Sequence, residues 1–183
     1  MSEREQLLEW SEGLKTFHLP RWEELPVFDL YMEQVIALLE TYLRPLVGDD
    51  KEDAIVTSAM INNYVKLKLI PKATRKRYSR KHLAYLIAIT ILKQVLTIGE
   101  VKKGIEYQAE ISGLKEAYNI FCDELELAIQ LVIKHMVVKK GNVHLDDIND
   151  ENLAMKMATM SFVGRLVAEK ILHLHHVNQQ EVE

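Results

Sequence analysis

At 183 residues, with 48% hydrophobic and 27% charged residues, the chain has the make-up of one buried core, or of a small domain with an appended one, and not of a disordered polymer. Seven glycines and four prolines are few for an all-β sandwich and favour helices, and a single cysteine, Cys122, permits no internal disulfide and no paired-cysteine metal or redox motif. The net charge of −4 hides a polarity: from Ala54 to Gly99 stand nine basic residues and no acids, which leaves 14 basic and 27 acidic residues elsewhere.

The opening "MSEREQLLEW" is charged from its third residue and lacks the apolar centre of a secretory signal. Ser2 to Leu14 predicts a short amphipathic helix with Leu7, Leu8 and Leu14 on one side. Trp22 is expected as a core anchor. Asp29 is the expected N-cap of the next helix, in which Leu30, Val35, Leu38, Leu39, Tyr42, Leu43 and Leu46 recur at helical spacing. Pro45 and Gly48 close it, and an acidic loop follows.

Thr57 or Ser58 then caps a helix reaching about Leu67. "IPKATRKRYS" is a short basic connection. Ser79 caps a helix to about Leu96 that contains the longest apolar run, Leu83 to Leu92, half the roughly 20 residues of a membrane span. Thr97 opens a further short helix, "TIGEVKKGI".

From about Tyr107 to Val138 one long helix is expected, its start weakened by Gly113. Ile111, Leu114, Tyr118, Phe121, Leu125, Ala128 and Val132 form its heptad seam. "KKGNVHLDDIND" reads as a loop whose Asn149 or Asp150 caps a last helix. There Leu153, Met157, Met160, Gly164, Val167, Ile171 and Leu174 repeat the seam, and Gly164 would admit a close neighbour. This antiparallel pair would close a core or a dimer interface.

The acid-free stretch carries the functional signal. At 100° per residue, Ser58, Ala59, Asn62, Asn63 and Lys66 fall within an arc of about 140°. Met60, Ile61, Tyr64, Val65 and Leu67 lie opposite. The outer face is small, amide-bearing and basic. Asparagine can bond the N6/N7 edge of adenine with both amide atoms, serine can reach bases or phosphates, and lysine neutralises phosphates. The plainer alternative is a solvated polar face, but such faces usually mix charge signs. Here Lys72, Arg75, Lys76, Arg77, Arg80 and Lys81 follow without one acid.

"VTSAMINNYVKLKLIPK…RYSRKHLAYLIAITILKQVLTIGEVKKGI" resembles the MerR-type winged helix-turn-helix. The corresponding pieces are Thr57 and Tyr64 of the recognition helix, the Leu69-Ile70-Pro71 exit, Arg77-Tyr78-Ser79, Leu83 to Leu96, and Thr97 to Ile105. The likeness covers about 50 residues, or about 75 with the helix from Asp29. With "LPRWEELP" and "MINNYVK", the whole chain is also similar to an uncharacterised bacterial family described as MerR-like. The chain departs from the pattern at Asn62 (usually arginine), Asn63 (usually tyrosine) and Lys68 (usually glycine). Only six residues lie between Pro71 and Tyr78, where the wing should be, and about ten separate the first helix from the recognition helix. The resemblance implies that Tyr64, Arg77 and Arg80 contact phosphates and that Ser58, Asn62 and Asn63 face bases.

Other chemistry is weaker. His173, His175 and His176 lack a carboxylate or cysteine at ligand spacing, and "HLDDINDE" lacks the glycine and spacing of a calcium loop. Cys122 falls beside the seam as a small core residue. Met136, Met155, Met157 and Met160 read as core filling before they read as an adaptable pocket. No catalytic pair, triad or phosphate loop is evident, so an enzyme is not expected, and neither cofactor nor metal is called for.

The expectation is an all-α cytoplasmic protein, with at most a minimal β wing. It has a helical extension at 1–19, a MerR-like DNA-binding domain at 20–106 and a helical dimerisation or effector region at 107–183. It would bind duplex DNA sequence-specifically as a homodimer and repress transcription. Bases would meet Ser58, Asn62 and Asn63; phosphates would meet Lys66, Lys72, Arg75, Lys76, Arg77 and Arg80. A small-molecule or protein effector would act at the C-terminal helices. The alternative is a helical interaction module whose basic patch binds an acidic protein.

Overall fold

Helices account for the architecture, as the composition predicts. The computed structural model describes residues 1–47, 54–137 and 151–180. In order these form α1 (Glu3–Lys15), α2 (Met32–Leu43), a 3-10 turn (Arg44–Leu46), α3 (Ser58–Lys66), α4 (Arg80–Leu92), α5 (Ile98–Ser112), α6 (Leu114–Val137) and α7 (Leu153–Gln180). The only extended pairings among the described residues are two isolated antiparallel bridges, Leu30 with Tyr78 and Thr74 with Arg77. The fold is all-α. Among those residues no helix is long and apolar enough to cross a membrane.

The chain divides into two compact units: Leu19–Cys122, and Met1–His18 together with Asp123–Glu183. In the first, α4 is the centre. A helix apolar on all sides must be covered on all sides, and Leu83, Leu86, Ile87, Ile89 and Ile91 are fully buried. It packs against α2 and α5. α2 contributes Val35, Leu39 and Leu43, one face at a spacing of four, and α3 contributes Ile61 and Tyr64. Each large aliphatic chain removed from water contributes about 1.5–3 kcal/mol.

α4 ends at Leu92 and not near Leu96, the chain turning before Thr97; two further helix boundaries differ from expectation for backbone reasons. α2 starts at Met32 and not after Asp29. Leu30 exchanges both backbone hydrogen bonds with Tyr78 at 2.8 Å, which holds the chain extended through Tyr31. The Tyr31 N–H then donates to the Gln34 side chain at 2.9 Å and opens the helix. The helix expected over 107–138 is two helices. Thr97 and Glu100 form a capping box that starts α5, and α5 runs on to Ser112. Gly113, at φ 77°, then breaks the ladder. That conformation is open to glycine and strained for other residues. Ile111, first in the expected seam, is an exposed member of α5.

Along α6 the seam holds at Tyr118, Phe121, Leu125 and Ala128, then drifts to Ile129 and Ile133 in place of Val132. A straight helix of 3.6 residues per turn leaves a 3.5-residue repeat in this sense. In the second unit α1 packs along α7. α7 buries Lys156, Ala158, Thr159, Phe162, Val163 and Leu166, while Met157, Gly164 and Ile171 are exposed. The expected α7 seam is therefore displaced. Apolar residues flank it on both sides, so more than one stripe fits the pattern. Among the described residues nothing lies within 4 Å of where a side chain at Gly164 would begin, so its expected close contact is not made there. The expected features at Gly48, Asn149 and Asp150 lie outside the described residues.

Candidate nucleic-acid interface

Thr57 sits in extended conformation before α3, and its hydroxyl accepts the Met60 N–H at 3.2 Å. This satisfies one of the donors left open at a helix start. The amphipathic division then follows the wheel. Ser58, Ala59, Asn62, Asn63 and Lys66 are exposed, and Ile61 is fully buried. Leu67 departs from it: it is 46% exposed, because it is the C-cap and its backbone is already leaving the helix.

The helix ends in a left-handed cap made by a lysine. Lys68 has φ 55°, and its N–H donates to the Val65 carbonyl at 3.1 Å. The Leu69 N–H donates to the Tyr64 carbonyl at 2.9 Å. These are the two bonds of the Schellman motif, normally completed by glycine. Leu69 and Ile70 then plug into the core, and the chain re-emerges at Pro71 and Lys72.

The basic connection is a two-residue hairpin. Thr74 and Arg77 exchange backbone hydrogen bonds at 3.1 and 2.9 Å. Between them Arg75 and Lys76 hold φ of 51° and 62°. Positive φ at both loop positions is the requirement of a type I′ turn, usually met by Asn-Gly. Lys72, Arg75, Lys76 and Arg77 are all exposed. The hairpin's base is fixed by the Leu30–Tyr78 bridge. Tyr78 is buried there, edge-on to His82 with centroids 5.4 Å apart.

Of the ten residues read from the sequence as DNA-binding, eight lie on the surface of this unit: Ser58, Asn62, Asn63, Lys66, Lys72, Arg75, Lys76 and Arg77. Two do not. Tyr64 is only 4% exposed, with Lys93 Nζ 5.9 Å above its ring. Its apolar ring fills the space under α3, and burial pushes its hydroxyl pKa up. Arg80 turns inward. Its Nε donates to the Leu25 carbonyl at 3.1 Å, one terminal nitrogen lies 3.5 Å from Glu23, and the guanidinium is 6.0 Å from the Trp22 ring. Its donors secure the segment before α2. Trp22 is half-buried there, edge-on to Tyr118, and its backbone N–H donates to Asn119 at 2.9 Å.

One partner was missed. The Arg77 guanidinium lies 4.6 Å over the Tyr31 ring and donates to the Tyr31 hydroxyl at 2.8 Å. Stacking aims the cation while leaving it at the surface. No spacing rule links residues 46 positions apart. Lys68 was visible only as a departure from a glycine, and its left-handed φ answers that departure.

No curated protein and no solved structure matches the chain. The region that does match a family runs from just before Trp22, through α2, α3, the hairpin, α4 and α5, into α6. Its residues 20–121 fit the model of a domain of unknown function, DUF1836, and the chain belongs to that family.

Proposed function

We propose that this protein binds duplex DNA sequence-specifically in the manner of a MerR-like regulator and represses transcription. The observation that carries the reading is a surface built from an acid-free stretch of the chain, in two parts: an exposed helix face of Ser58, Asn62, Asn63 and Lys66, followed by an exposed basic hairpin of Lys72, Arg75, Lys76 and Arg77. A helix of this width fits a major groove, and its amides match base edges. The hairpin's cations suit phosphates, which position the protein without reading sequence. A homodimer would read two half-sites one helical turn apart or a multiple of it. The exposed Met157, Ile171 and Leu172 of α7 offer apolar surface for that pairing. The C-terminal helices are also where a small-molecule or protein effector would act.

Selection from random duplexes by the full chain tests this. An enriched motif is expected. Asn62→Ala should flatten preference at one position, where a bidentate contact discriminates by about 1–3 kcal/mol. Arg77→Ala should weaken all duplexes alike and lower the salt slope by about 1. No enriched motif, with both variants indistinguishable from wild type, would falsify the reading. The basic patch would then be left to an acidic protein partner.

A further inference from the structure

Between the exit of α3, the start of α4 and the outer face of α5 lies a cleft of about 730 Å³. That volume is within the range of small-molecule sites. Four lysines border it: Lys68, Lys72, Lys81 and Lys102. Three come from the acid-free stretch. The carboxylates facing them are Glu106 and Glu110 of α5, and Glu106 is already paired with Lys102 at 3.9 Å. Positive charge therefore predominates on the α3–α4 side. The lining between is apolar, with Leu69, Ile105 and the Tyr85 ring, above which Lys81 Nζ lies at 5.9 Å.

We propose that this cleft binds a small organic anion, its carboxylate or sulfonate head held by Lys68, Lys72 and Lys81 and its apolar body lying against Leu69, Tyr85 and Ile105. Lysines are point charges that hold an anionic head without demanding forked geometry. An inorganic ion would leave the apolar lining uncovered. An apolar anion satisfies both parts. The cleft adjoins the α3 terminus and the hairpin, and Lys72 belongs to both surfaces. Ligand and DNA would draw on the same cation, so each would weaken the other equally. That coupling rests on the DNA-binding reading; the binding itself does not.

The test uses the full chain and the fluorescent probe 1-anilinonaphthalene-8-sulfonate, with no DNA present. Saturable enhancement is expected, displaced by decanoate and not by inorganic phosphate at matched ionic strength. Lys68→Gln with Lys81→Gln should weaken binding by about tenfold, the equivalent of about 1.4 kcal/mol. Ile105→Trp, which fills the cleft and leaves the lysines, should abolish it. Equal enhancement in the wild type and the lysine double variant overturns the proposal, whether or not Ile105→Trp folds. Displacement by phosphate as effective as by decanoate overturns it too. Because no duplex enters the titration, its outcome is separate from that of the selection experiment.

Discussion

Lys68, Arg75 and Lys76 all occupy left-handed backbone, where an L-residue costs about 1–2 kcal/mol relative to a right-handed conformation. Glycine would relieve the strain at each. Cations stand there instead, within a stretch of sequence cleared of acids, which points to the side-chain charge as the reason. His82 shows a second residue-scale tension. Its Nδ1 accepts the Ser79 N–H at 2.9 Å, so the neutral ring carries its proton on Nε2, which is buried near the Pro71 and Lys72 carbonyls without a well-formed hydrogen bond to either. Burial lowers its pKa; the Pro71 and Lys72 carbonyls and Asp29 oppose that shift, and Lys81 adds to it. Above the unfolded value near 6.5 neither state takes the proton, and the site is neutral to stability. As pH falls from there toward the depressed folded value, the unfolded chain binds a proton that the folded ring refuses, so stability drops. Urea midpoints should therefore fall between pH 7.5 and 5.5 in wild type. His82→Gln, whose amide oxygen can still accept the Ser79 N–H, should flatten that slope. Parallel slopes in the two proteins would remove His82 from the account.

At the scale of elements, the hairpin has the clearest conflict between stability and use. Replacing Arg75 by Asn and Lys76 by Gly installs the dipeptide its turn prefers. The double variant should be more stable by about 1 kcal/mol in urea denaturation. It should also bind duplex DNA more weakly, with a salt slope reduced by about 2. A variant that gained stability and kept its full salt slope would show that the tip does not touch phosphates. Most elements were legible in the sequence. Thr57, Ser79 and Thr97 all precede helices where expected, and the apolar run of α4 is buried apart from the part-exposed Tyr85 and Ala88. What escaped were elements set by pairing or strain. The spacing of Leu30 suits a helix, yet Tyr78 holds it extended. Gly113, a weak point by composition, is a complete break in the structure.

For the whole molecule, charge and compactness divide the chain alike. Leu19–Cys122 carries 15 basic and 13 acidic residues, while the remainder carries 8 and 14. The first unit holds the buried α4 and the acid-free stretch, and it coincides with the family match at 20–121. Expressed alone, 19–122 should melt cooperatively by circular dichroism. Its non-specific affinity for duplex DNA at low salt should equal or exceed that of the full chain, since the rest contributes net negative charge. Non-cooperative melting would show that its core depends on the remaining helices. The sequence by itself determined the helical class, the caps, the polar face of α3 and the cleared charge. These are properties of near neighbours: periodicity, capping chemistry and composition. Only the tertiary structure decided that Tyr64 fills the core, that Arg80 is spent on Leu25, that Arg77 stacks on Tyr31, and that six residues suffice for a hairpin. Each of those outcomes depends on which distant groups share space, or on strain that packing elsewhere sustains, and neither is written in local order.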